Sequence, residues 1–224
     1  PPPPPTQDDS SNHGTTDHRL GHLFSWLTTT RMGSVYQPPD VGRLFKDLEA
    51  WWAVAGGWAI DCFIGSESRT HADLDIAVLR RDVHQICEHL IGWDLHVVAS
   101  PGRLQEWDGS ILDNSHNQLW CRSSPTAPWA FELLFNDSKG GDWLFRRNHN
   151  IRKPLDAITG RTSQNIPYLI PEIVLLFKAK IASPIDEADL HSCIRFLSDS
   201  GRAWLREAIE LTHGAEHPWI GSLS

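Results

Sequence analysis

The chain has 224 residues, 40% hydrophobic and 21% charged, a balance that suits one folded domain of medium size, with or without a small helical appendage. Its 20 Lys and Arg against 28 Asp and Glu leave a net charge of −8 at pH 7. Such a surface repels nucleic acid unless basic residues cluster locally, and the sequence holds only short pairs such as Arg80-Arg81 and Arg146-Arg147. No run of about 18 apolar residues occurs, so no membrane span is expected. Cys62, Cys87, Cys121 and Cys193 form no C-x-x-C pair. They read as free thiols in a reducing cytoplasm rather than as a zinc site.

Five prolines open the chain, and the only methionine is Met32. Residues 1–38 are expected to be a disordered, Pro-rich and polar extension, with a short helix over 20–27 and the native product starting at Met32. Asp40 is expected to cap a helix from about Val41 to Trp52, carrying Leu44, Phe45 and Leu48 at helical spacing. A short apolar strand, Trp52 to Ala55, runs into the turn at Gly56-Gly57, and Trp58 to Ile64 reads as a helix ending at Gly65. After a polar loop over 66–72, Asp73 to Leu79 alternates as a strand, with Asp73, Asp75 and Ala77 on one face. Asp82 is expected to cap a helix carrying Val83, Ile86, Cys87 and Leu90. Strands are expected over 95–99, near 104–107 and 118–122, and over 129–136, followed by a loop-rich stretch with short strands to 168. Pro171 reads as the first residue of a helix ending near Ala182. Two more helices are expected over 186–198 and 200–213. This order predicts an α+β fold, with a main domain over 39–168 and a C-terminal helical subdomain over 169–224.

Chemistry concentrates in Gly56 to Val78. Residues two apart on a strand point to the same face, so Asp73 and Asp75 project side by side. Two adjacent carboxylates repel unless a cation lies between them, and a hard divalent ion with oxygen ligands is the natural partner. A third carboxylate from a neighbouring strand would complete a two-metal site. Glu132, flanked by Phe131, Leu133 and Leu134, is the best candidate. Upstream, Gly56-Gly57 at the start of a helix allows a phosphate to approach the backbone N–H groups and the positive dipole end. Together these parts describe a site for phosphoryl or nucleotidyl transfer assisted by metal, with Glu132 also able to take the acceptor's proton.

Gly56-Gly57, then Asp61, then Gly65-x-x-x-Arg69-x-His71-x-Asp73-x-Asp75, resembles the antibiotic nucleotidyltransferases of the polymerase-beta-like superfamily. Within it the stretch is most similar to the aminoglycoside 2''-adenylyltransferase-like group, with the lincosamide nucleotidyltransferases nearby. A second resemblance lies at Pro171 to Lys178, followed by Asp186 to Leu190. The resemblance implies a nucleotidyltransferase fold with a mixed sheet flanked by helices, and metal on Asp73, Asp75 and Glu132. Asp137 and Asp142 stay open as alternatives for the third carboxylate. It further implies a nucleotide role for Gly56, Gly57, Arg69 and His71, and a phosphate contact by Lys178. The implied activity uses Mg²⁺, two ions, and ATP or another nucleoside triphosphate. It transfers a nucleoside monophosphate to a hydroxyl of a small antibiotic-like acceptor, and the acidic charge favours a cationic aminoglycoside over a lincosamide. The competing readings are a toxin-type enzyme acting on tRNA or protein, and a non-catalytic binding module. Asp61 is expected to cap the helix or to pair with Arg69. Asp186 and Asp189 read as a helix cap and an ion-pair partner, or else as walls of an acceptor cleft.

Overall fold

The computed structural model describes residues 36–100, 102–112 and 115–224. The expected disorder before residue 36, the helix over 20–27 and the start at Met32 lie outside the described residues.

The first helix, α1 (Pro38–Leu44), opens on two prolines, which are tolerated in a first turn because no helical partner needs their missing N–H groups. Gln37 is its N-cap, and the Asp40 carboxylate accepts from the Gln37 N–H at 2.8 Å. Asp40 therefore sits inside the first turn rather than at the cap. The helix stops at Leu44 instead of reaching Trp52, and Leu48 joins the core from a following turn.

The strand β1 (Trp52–Val54) leads directly into α2 (Gly56–Ile64), which ends on Gly65 in the left-handed conformation. β2 spans Asp75–Leu79, so Asp73 lies just before the strand rather than within it. A short 3-10 turn, Arg80–Asp82, precedes α3 (Val83–His89), and the Asp82 side chain makes no cap bond. The remaining strands are β3 (Asp94–Ser100), β4 (Arg103–Glu106), β5 (Gln118–Arg122), β6 (Phe131–Lys139), β7 (Asp142–Leu144), β8 (Arg152–Pro154), β9 (Thr159–Arg161) and β10 (Pro167–Leu169).

Three helices close the chain. α4 (Pro171–Lys178) starts at the expected proline but ends four residues before Ala182, where the backbone turns through a positive φ of 46°. α5 (Pro184–Cys193) begins two residues earlier than expected, because Ser183 caps it reciprocally with Asp186. α6 (Asp199–His213) is capped by Ser198, whose hydroxyl accepts from the Gly201 N–H at 3.1 Å.

The sheet is mixed, as expected for an α+β fold, in the order β4-β3-β5-β6-β2-β1-β10-β9, with β7 and β8 attached to the far end of β6. Two pairings are parallel, β2 with β6 and β1 with β10, and the others are antiparallel. The central strand β6 is buried at Phe131, Glu132, Leu133, Phe135 and Asn136, so both its faces are covered, which explains its near-continuous apolar sequence. α2 packs on α4 and α5, and α4 packs on α6. The expected division at 168/169 falls inside β10, and one hydrophobic core continues from the sheet (Ile76, Leu133) into the helices (Leu176, Leu205). No described helix is long and apolar enough to cross a membrane.

Candidate active site

Register places the acidic residues. β2 and β6 run parallel, and Asp75 stands directly opposite Glu132. Neighbouring strands lie about 4.8 Å apart, so side chains at paired positions on one face converge. The Glu132 N–H donates to the Leu74 carbonyl at 2.9 Å, which fixes β6 against the approach to β2 just after Asp73. The result is a cluster in which Asp73, Asp75 and Glu132 each offer a carboxylate oxygen, all within 4.8 Å of one another. Glu132 is buried, at 5% exposure, while the two aspartates are half-buried. Hard oxygen donors at this spacing suit a divalent cation.

Asp73 reaches the cluster from the loop just before β2 rather than from the expected strand face. Of the three candidates for the third carboxylate, Glu132 is the one that lies with Asp73 and Asp75. Asp137 is held by Arg80 at 2.9 Å and by His149 at 3.3 Å, and Asp142 begins β7.

The two glycines stand between this cluster and the loop that carries Arg69 and His71. The Ala55 N–H donates to the Asp75 carbonyl at 2.8 Å, which brings the start of α2 beside β2. Gly56 has φ +58°, and a Cβ there would overlap the Asp75 carboxylate. A Cβ on Gly57 would overlap the Arg69 guanidinium and lie 2.6 Å from His71 Nδ1. Both positions thus require glycine because charged side chains pack onto the backbone itself. α2 has no side-chain cap and no acidic residue in its first turn, so its positive end is not neutralised from within its own sequence.

The loop between α2 and β2 is tied down by two buried carboxylates. Asp61, on α2, accepts from the Ser68 N–H at 3.0 Å and from the Ser68 hydroxyl at 2.5 Å, and it meets His71 Nε2 at 2.5 Å. The His71 ring also lies against Trp58, with ring centroids 4.4 Å apart. Asp61 is therefore structural, as expected, but its partner is His71 and not Arg69. Arg69 reaches Asp189 on α5 instead, through Nε at 2.8 Å and Nη2 at 3.0 Å. This two-pronged bond raises the Arg69 pKa above its ordinary value.

Lys178, at the end of α4, donates to Asp186 at 2.8 Å and lies 2.9 Å from Asp189. Burial pulls its ammonium pKa down, but Asp189 and Asp186 outweigh that and the net direction is up. Burial likewise opposes ionisation of Asp189. Arg69 and then Lys178 overcome this and hold the carboxyl below its usual range. Asp186 also accepts from the Ser183 N–H and hydroxyl at the start of α5. The structure thus brings Gly56, Gly57, Arg69, His71, Lys178, Asp186 and Asp189 into one connected set beside the carboxylate cluster.

The links through Asp189 and His71 were missed in the sequence. Asp189 and Arg69 are 120 positions apart, and nothing local signals their bond. One signal was present and has another explanation. His213 and His217 have a metal-ligand spacing of four residues, but His217 bonds the Ala179 carbonyl and the Trp219 N–H. Among the described residues, Asp73, Asp75 and Glu132 form the one cluster able to hold a metal ion.

Comparison with known proteins supports the resemblance carried by the first motif. Residues 39–100 match the family model described as aminoglycoside-2''-adenylyltransferase. No curated protein matches the sequence. Among solved structures, the lincosamide antibiotic adenylyltransferase LnuA in its lincomycin-bound form is 16% identical, with a TM-score of 0.49, covering 70% of this chain and 94% of its own. ANT(2'')-Ia in complex with adenylyl-2''-tobramycin is 13% identical, with a TM-score of 0.46, covering 85% and 98%. An antigenic nucleotidyltransferase-like protein from Paracoccidioides brasiliensis is 14% identical, with a TM-score of 0.43, covering 88% and 91%.

Proposed function

We propose that the protein is a metal-dependent nucleotidyltransferase that moves AMP from ATP onto a hydroxyl of a small, cationic, antibiotic-like acceptor, an aminoglycoside in preference to a lincosamide. The observation that carries this reading is the meeting of three carboxylates within 4.8 Å beside the glycine-started helix α2. The family match over residues 39–100 covers α2, Asp73 and Asp75, and Glu132 lies beyond it.

Asp73, Asp75 and Glu132 would hold the metal. When bound, Mg²⁺ would neutralise charge on the phosphates and make the acceptor hydroxyl more acidic. The backbone N–H groups at the start of α2 would take phosphate oxygens, since the dipole end and the glycines favour close approach of an anion. Arg69 and Lys178 would add positive charge on the same side, and His71 would face the nucleotide across Gly57. Glu132 would accept the proton of the acceptor hydroxyl. The acceptor oxygen forms a bond to the α-phosphorus, the bond from that phosphorus to the bridging oxygen breaks, and pyrophosphate leaves.

Net charge supports a cationic acceptor, because a surface at −8 attracts polyamines and repels polyanions. Asp186 and Asp189 are turned toward Lys178 and Arg69, which supports a place on the nucleotide side rather than in the acceptor cleft. The four free cysteines suit a reducing, cytoplasmic setting.

The test is pyrophosphate release from ATP with Mg²⁺, measured across a panel of aminoglycosides, lincosamides and bulk tRNA. Release with an aminoglycoside is expected. Transfer to tRNA alone would overturn the acceptor claim and leave the chemistry in place.

A further inference from the structure

Asp189 is buried to 1% exposure, and yet it carries a charge. A lone buried carboxylate costs several kcal/mol, so such a group persists only where its partners repay it. Its partners here come from two separate parts of the chain. Arg69 approaches from the loop between α2 and β2, using both prongs of its guanidinium. Lys178 approaches from the last turn of α4. Asp189 itself stands on α5. One carboxylate therefore joins three elements and fixes the two cations relative to each other. Arg69 then presses against the backbone of Gly57, and Asp73 is near enough to raise its pKa through charge.

We propose that Asp189 is a positioning residue. It holds Arg69 against the start of α2 and ties Lys178 to the same carboxylate, in the arrangement that receives the triphosphate. This inference rests on the reading of that face as the nucleotide site. A long, flexible cation that must be ordered when ligand arrives loses entropy on binding, and pre-pairing with a buried acid removes much of that loss. The same carboxylate lowers the net charge of the cluster, so the two like-charged groups can lie close together before the anion arrives. Asp186 has a lesser part. It shares Lys178 but not Arg69, and it is mainly engaged in capping α5.

The experiment measures Mg·ATP affinity by titration calorimetry for the wild type, Asp189→Asn, Asp186→Asn, Arg69→Ala and Lys178→Ala. All are measured at a temperature where circular dichroism shows them folded. The KM values for ATP and for the acceptor are measured alongside. Asp189→Asn is expected to weaken Mg·ATP binding about tenfold or more and to raise the KM for ATP, while the acceptor KM stays within about twofold. Asp186→Asn should change both much less. If Arg69→Ala and Lys178→Ala weaken Mg·ATP binding but a folded Asp189→Asn does not, the positioning role is refuted. A raised acceptor KM with unchanged Mg·ATP affinity would return Asp189 to the acceptor cleft and refute it equally. If Arg69→Ala and Lys178→Ala both bind Mg·ATP like the wild type, the underlying nucleotide reading fails first and the inference falls with it. Should Asp189→Asn not fold, Asp189→Glu keeps the charge but displaces it by one methylene. It is expected to fold and to show the same selective loss of nucleotide affinity, and wild-type affinity in that variant would overturn the proposal.

Discussion

Gly56 and Gly65 offer a matched pair for separating backbone strain from site geometry. Both have positive φ, +58° and +84°, at opposite ends of α2. Alanine at either position pays the left-handed penalty, about 1–2 kcal/mol. For a domain of this size that lowers the melting temperature by roughly 2–8 °C. The surroundings differ. A Cβ on Gly65 meets nothing within 4 Å, whereas one on Gly56 overlaps the Asp75 carboxylate. In Gly56→Ala the Asp75 side chain must rotate away from Asp73 and Glu132 or push the strand aside, a displacement on the order of 1 Å. Misplacement on that scale costs about 100-fold in rate when a reacting group depends on it. Gly65→Ala should therefore lose stability and keep its kcat, while Gly56→Ala should lose comparable stability and about 100-fold in kcat. Differential scanning fluorimetry and a pyrophosphate-release assay run on both variants decide the matter. Equal kcat values in the two folded proteins would refute the argument that Gly56 is reserved for the Asp75 carboxylate.

Two further outcomes follow from charge and burial. Asp189 is held below its ordinary pKa of 3.8, so its contribution to stability is complete above that value and is lost as pH falls through the depressed folded value. Chemical denaturation at stepped pH should show wild-type stability declining on this acid limb, and Asp189→Asn should flatten it; an identical slope in the two proteins would exclude Asp189 as a source. Burial pushes the thiols of Cys62, Cys87 and Cys193 up to about 12, so little thiolate exists near neutrality. Iodoacetamide at pH 8 should label the native protein slowly and all four cysteines after denaturation, as read by mass spectrometry.

Legibility in the sequence followed the range of the interaction. The aspartate pair, the glycine pair and Glu132 were readable because each sits on a short local pattern: alternation into β2, glycines at the strand–helix junction, and a charge inside an apolar strand. Their convergence was not readable, since it depends on the parallel pairing of Asp75 with Glu132 across 57 positions. Helix boundaries shifted where capping overrode apolar spacing. Pro38 and Pro39 fit a first turn that the Val41 start had left out, and the Ser183–Asp186 box moved the start of α5. Asp61 was expected to cap the helix or pair with Arg69, but it meets His71, which packs on Trp58, while Arg69 is taken by Asp189 on α5. The three-residue strands β7 to β9 carry too few residues to show a period. Their place is set by contacts with other elements, such as Trp143, fully buried, donating to the Asn136 side chain on β6 at 2.9 Å.

The most direct test of the metal centre is Asp75→Asn, which keeps the shape of the side chain and removes one of three converging charges. With Mg²⁺, ATP and an acceptor found in the panel, the account predicts a loss of pyrophosphate release of about 100-fold or more in a variant that remains folded. Turnover within a few-fold of wild type would contradict the assignment of Asp75, and with it the claim that this carboxylate cluster performs nucleotidyl transfer.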